Sequence, residues 1–225
     1  MSSEKTPWRF SKSRSWMPVH RIVIAFAVTV ALTIGCLAGF ASSAQSRIGV
    51  VELDPSKTLV EFRLGGSLHT TQGKFQLKGG IIKVNSVTGE AEGAIVVDAA
   101  SGDSGNSLRD NRMKDSVLEA QSYPEITFNP RRIDGDLDPG GGFQAKLDGL
   151  LKLHGAEHEI SIDTHGSLID DNLVATAHFS IPYVEWGLRD PSLLFLTVAK
   201  QVDIDIATAG RVTWLAGEKA SWHRP

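Results

Sequence analysis

Alternation with a period of two opens the C-terminal four-fifths of the chain. Leu59, Glu61 and Arg63 fall on one face of an extended segment and Val60, Phe62 and Leu64 on the other, so one face is apolar. Further strands are predicted at Gly73 to Lys78, Ile81 to Asn85, Glu92 to Asp98, Ile126 to Ile133, Phe143 to His154, His158 to Ile169, Leu173 to Tyr183 and Phe195 to Ala207. Turn signals separate them: Gly65-Gly66, Gly79-Gly80, Gly135, Gly140 to Gly142, Gly155 and Asp170-Asp171-Asn172. About eight or nine strands joined by short turns predict an all-β antiparallel fold, a sandwich or an up-and-down barrel, between which period and spacing do not choose.

One segment breaks the rhythm. After Asp98 come Ser, Asp, Asn and Gly, residues suited to loops and helix N-caps, and from Leu108 apolar side chains recur at Met113, Val117 and Leu118 among Arg109, Asp110, Arg112, Lys114 and Asp115. Pro124 ends the helical tendency and Glu125 to Phe128 resumes a strand. A short amphipathic helix is therefore expected between two strands, placed to cover one end of a barrel with its apolar side.

The N-terminus has a different character. Lys5, Arg9, Lys12, Arg14 and Arg21 precede Ile22 to Phe40, a run without formal charge, which predicts a hydrophobic helix: a signal peptide or transmembrane anchor over residues 22–44. Ser42 and Ala44 would suit a signal peptidase cutting before Gln45. In either case residues 1–21 are expected to stay cytoplasmic and the rest to lie outside the inner face of the membrane, in a periplasmic or other extracytoplasmic space. Cys36, the single cysteine, lies inside the apolar run, so the exported part can form no internal disulfide.

The whole chain carries 23 Lys and Arg against 26 Asp and Glu. Five of those bases and Glu4 belong to the first 44 residues, and the remainder is left with 18 bases against 25 acids, a formal charge of −7. Such a domain repels phosphate polymers, and a nucleic-acid partner is not expected. No Gly-x-Ser-x-Gly elbow, phosphate-cradling glycine loop, dinucleotide fingerprint or cysteine nucleophile appears in it, so catalysis is not expected either.

The interrupting segment, SGNSLRDNRMKDSVLEAQSYPEITF, resembles the signature of the YceI-like family of exported lipid- and polyisoprenoid-binding proteins. The resemblance extends upstream to LDPSKTLVEFRLGGSLHTTQGKF and downstream to LLKLHGAEHEISI and YVEWGLRDPSLLFLTVAKQVDIDI, covering roughly Val51 to Ala207. The hairpin departs from the family's usual His-Gly-Val-Thr-basic run, with Ala156, Glu157 and His158 in the last three places.

The resemblance implies a lipocalin-like barrel over residues 46–207, a C-terminal tail over 208–225, and a cavity that accepts an isoprenoid lipid or isoprenoid quinone for transport or storage. The inner membrane is an expected neighbour, a homodimer is allowed, and no covalent cofactor or metal is implied. Phe62, Phe75, Leu108, Met113, Val117, Phe128, Phe179, Trp186 and Phe195 are the candidate cavity residues, and His69, Arg109 and Asp110 the candidate rim or head-group residues. For Arg109 and Asp110 the reading favoured is structural, with Asp110 capping helix N–H groups. His154 and His158 fall on either side of an expected hairpin turn and make a poor metal pair. The alternative to a lipid binder is a stress-protection or protein-interaction module whose barrel is packed solid.

Overall fold

A computed structural model describes residues 47–136, 141–192 and 197–215. The expected hydrophobic helix, its cleavage site and the last ten residues of the chain lie outside the described residues. Nine strands form one antiparallel sheet: β1 (Ile48–Leu53), β2 (Leu59–Leu64), β3 (Thr71–Asn85), β4 (Ala91–Asp103), β5 (Glu125–Asp136), β6 (Gly142–Leu153), β7 (Ala156–Ile169), β8 (Asn172–Ile181) and β9 (Val202–Leu215). From β2 to β9 each strand pairs with the next, and β2 also pairs with β9, so eight strands close into a barrel.

The ninth strand does not stand outside this ring. β1 pairs with the end of β3 (Ile48 opposite Asn85) and the end of β9 (Ile48 opposite Leu215), while β2 pairs with the beginnings of the same two strands. The two short strands therefore occupy one stave, broken by a 3-10 turn at Pro55–Lys57. Asp54 stitches the break: its Oδ1 accepts from Ser56 N at 2.9 Å, and its backbone N–H donates to Ala209 O at 2.9 Å. The hydrogen bond from Ser56 holds the Asp54 carboxyl below its ordinary pKa. Gly80 lies beneath the break, where a Cβ would come within 2.9 Å of Leu53.

Gly79-Gly80, read from the sequence as a turn, is part of the continuous strand β3. The β3–β4 register shifts between Leu77 and Gly79, a bulge that bends the strand without ending it. The hairpin between β6 and β7 turns at His154 and Gly155, with φ of 51° and 80°, and Leu153 pairs with Ala156. Two residues with positive φ match the right-handed twist of the flanking strands. The turn thus begins one residue before the expected one. β9 runs on through Leu215, so residues 208–215, expected in the tail, belong to the barrel.

The expected helix is α1 (Ser107–Arg112), continued by a π-helical turn at Met113–Val117. Its N-cap is Asn106, whose side chain accepts from Leu108 N and Arg109 N; Asp110, expected in that role, does something else. Leu118 N donates to Met113 O at 2.9 Å, the wider spacing of the π turn.

A candidate lipid-binding cavity

Because side chains alternate along each strand, every second residue points into the barrel, and the two ends are filled differently. At the end covered by α1, the interior is a packed cluster that includes Phe62, Leu118, Phe128, Tyr183, Leu188 and Ile204. Leu118 arrives from the π turn and Tyr183 and Leu188 from the loop after β8, whose Tyr183 hydroxyl donates to Ala199 O at 2.8 Å. Burial, with Asp190 nearby, pushes the Tyr183 phenol up to about 12.

Beyond this plug the interior is open. A cavity of about 250 Å³ extends along the barrel from Phe75, Phe128 and Ile181 to Gly49, Phe143 and Trp214. Its wall is apolar even where the sequence places hydroxyls. Thr164 Oγ1 donates to Ala145 O at 2.8 Å, and Thr58 Oγ1 donates to Asp54 O at 2.8 Å while sharing a 2.7 Å hydrogen bond with Thr208. These inward threonines spend their polarity on the wall itself, so an alkyl chain meets methyl groups.

Of the residues expected at the cavity, Phe75, Phe128 and Phe179 line it. Phe62 is buried in the plug, its ring 5.4 Å from that of Phe75. Met113 and Val117 pack against the same cluster without reaching the cavity wall. Leu108 is 81% exposed and turns away from both. The reason is geometric: Leu108 precedes Met113 by five residues, roughly 140° around a helix, so the two cannot share a face. Phe195 lies outside the described residues.

Trp186 also belongs to the plugged end, packed on its cluster and stacked on His158 at 3.9 Å with the rings 3° from parallel. The stack sits where the ladder is incomplete, because β7 pairs with β8 only from Asp163 onward. His158 Nε2 is buried there with no hydrogen-bond partner. His154, across the turn, packs on Tyr123 at 4.5 Å, and its Nε2 lies 3.2 Å from Glu119 without hydrogen-bond alignment. Among the described residues no group of three His, Cys, Asp or Glu side chains converges as a metal site.

The candidate rim residues separate. His69 is exposed on the β2–β3 loop. Arg109 and Asp110 grip one residue: Arg109 Nε donates to Ser104 Oγ at 2.7 Å and its Nη2 to Ser104 O at 2.9 Å, while Asp110 Oδ1 accepts from Ser104 N at 2.9 Å and from the Ser104 hydroxyl. Those bonds from Ser104, with the Arg109 charge adding to them, hold the Asp110 carboxyl below its ordinary pKa. The pair ties the end of β4 to α1.

Sequence reasoning missed Trp214 and Gly49. The signal for the first was present, since Val212 and Trp214 continue the alternation of Ile204 and Ile206; Gly49 carried none.

A closed antiparallel barrel around an apolar cavity is a fold with room for an apolar ligand. The chain belongs to the family of the YceI-like domain, whose model matches residues 52–209. Two solved structures share the fold. A polyisoprenoid binding domain from Saccharophagus degradans, implicated in plant cell wall breakdown, is similar at 18% identity and a TM-score of 0.54, over 72% of this chain and 98% of that one. BcnA of Burkholderia cenocepacia is similar at 15% identity and a TM-score of 0.55, over 70% and 98%. No curated protein matches the chain.

Proposed function

We propose that this protein is a noncatalytic carrier or store that holds an isoprenoid lipid or isoprenoid quinone in its barrel. The observation that carries the reading is the cavity wall, where Thr58 and Thr164 turn their hydroxyls onto backbone carbonyls, Thr208 pairs with Thr58, and most of the remaining lining is aliphatic or aromatic. Each methylene moved from water into such a space contributes roughly 0.8 kcal/mol, so a prenyl tail binds without any covalent step. The similar domain from Saccharophagus degradans, described as polyisoprenoid binding, supports the same class of ligand.

The basic, then apolar, first 44 residues support a barrel that is exported or tethered by residues 22–40, on the far side of the inner membrane and beside the bilayer in which prenyl lipids reside. Organic extraction of the purified protein followed by mass spectrometry tests the ligand. A prenyl lipid at near one per chain is expected, and its repeated absence would sink the reading. Mass determination of the mature N-terminus checks the anchor: a chain starting at Gln45 means release, an intact chain means tethering.

A further inference from the structure

The barrel wall is not sewn equally all the way round. β6 and β7 pair to the tip of their hairpin, and β8 and β9 pair as far as Ile181 opposite Val202. Between them the β7–β8 ladder stops at Asp163 opposite His178. Among the described residues, Ala156–Ile162 have no ladder partner across this seam, and neither do Phe179–Ile181. The β4–β5 ladder is short as well, but beyond its gap a bridge between Glu90 and Arg132 ties it again, and Asn129 Nδ2 donates to Gly93 O at 2.9 Å.

The β7–β8 seam reaches the cavity. Ile162, Phe179 and Ile181 all line it, and continuing the register by one step sets Ile162 opposite Phe179. Side chains close the cavity there, with no backbone ladder behind them. The segment Pro182–Asp190 crosses the seam from the end of β8 to β7. Toward β9 it is tied by hydrogen bonds, from the Tyr183 hydroxyl to Ala199 O at 2.8 Å and from Val184 N to Lys200 O at 3.5 Å. Among the described residues none of its hydrogen bonds reaches β7, where it rests on Trp186 stacked against His158.

This stack is easily released. His158 Nε2 is buried without a hydrogen-bond partner, and opening gives it water, which offsets part of the stacking lost. A fully paired seam would lose a row of ladder hydrogen bonds on opening; this one has none to lose beyond Asp163. Resting on the reading of the barrel as a store for an apolar chain, we infer that the ligand enters and leaves sideways through the β7–β8 seam. Pro182–Asp190 is the gate, hinged on the β9 side and latched on β7 by Trp186 against His158. Neither latch residue lines the cavity, so the gate sets rates and leaves affinity alone.

The test follows stopped-flow binding and release of a pyrene-labelled fatty acid by the full chain, freed of endogenous lipid and held in mild detergent. Trp186→Ala and His158→Ala should each raise both rates about fivefold with Kd unchanged, whereas Leu118→Ala, which loosens the plug from the α1 side, should leave both rates within about twofold. Ser161 and Ser180 face outward and stand opposite each other when the register is continued past Asp163. Changed to cysteine in a Cys36→Ser background and bridged by a short bis-maleimide, they should slow both rates about tenfold; capping both with N-ethylmaleimide should not.

Thermal melts identify the folded variants, and the bridged protein carries the test if the latch variants fail to fold. Rates unmoved by the bridge, equal slowing by the capped control, or acceleration by Leu118→Ala but not by Trp186→Ala would overturn the inference. So would a faster release with unchanged association in Trp186→Ala, the mark of a wall contact. If the unmodified protein does not bind the probe, the reading of the barrel as a store fails and takes the inference with it.

Discussion

The two ends of this barrel are built from one pattern and reach opposite results. Both are walled by strands that alternate inward and outward, yet one interior is packed and the other holds a cavity. The walls do not make the difference. At the α1 end two crossing segments deliver Leu118, Tyr183 and Leu188 into the space, whereas along the cavity the inward positions include Gly49, Ala175, Ala177 and Thr208, whose small side chains leave room. Volume inside a barrel is thus set by what enters from the ends and by the size of every second residue, and an unfilled barrel persists only if its vacancy suits a ligand or is tolerated at some cost in stability.

The contrast can be broken from either side. The largest effect expected is at the plug: Leu118→Ala should destabilise the fold by about 3 kcal/mol, measured by urea unfolding, because the side chain is 9% exposed among packed neighbours. The matching change in the cavity runs the other way. Ala175→Phe adds bulk to existing space, and should cut co-purified lipid by more than half while shifting stability by less than about 1 kcal/mol.

Smaller effects come from titration. The Tyr183 phenol is raised to about 12 in the fold, above its ordinary value of 10.0, so folding favours the protonated form; its contribution is full below pH 10 and is lost as pH climbs from there toward about 12. Tyr183→Phe should remove that alkaline loss from a series of melting curves. Asp110 has the opposite sign. Its carboxyl is lowered by Ser104, so its contribution is full above the ordinary value of 3.8 and is lost as pH falls below it. Asp110→Asn should flatten the acid limb of the same series, by less than the plug mutation at any pH, since the group is half exposed.

Residues that sequence groups by type need not meet in the fold. Leu108 and Met113 share an apolar character and one insertion, but an amphipathic face is a matter of angle. Met113 and Val117 do turn inward, yet they meet Leu118 and the plug before they can meet a cavity. Trp186, expected at the cavity, is a stacking partner for His158 in a stretch where β7 has no β8 neighbour. Phe75, Phe128 and Phe179 were legible because each lies on a strand whose alternation alone fixes its direction.

Sequence by itself determined most of the strands from β2 to β9 and their inward faces, though neither β1 nor the full run of β9 to Leu215, because a pleated backbone ties side-chain direction to parity, and it determined the family through the insertion and its flanking blocks. It also set a short helix where Asn106 could cap it. The tertiary structure decided that β1 and β2 are halves of one stave, that Gly79-Gly80 bends a strand without ending it, and that β9 carries Trp214 back onto Gly49. Above all it decided which end is full. Parity says that a residue points inward; whether it meets another side chain there depends on residues far away in the chain, and only closure of the sheet brings them together.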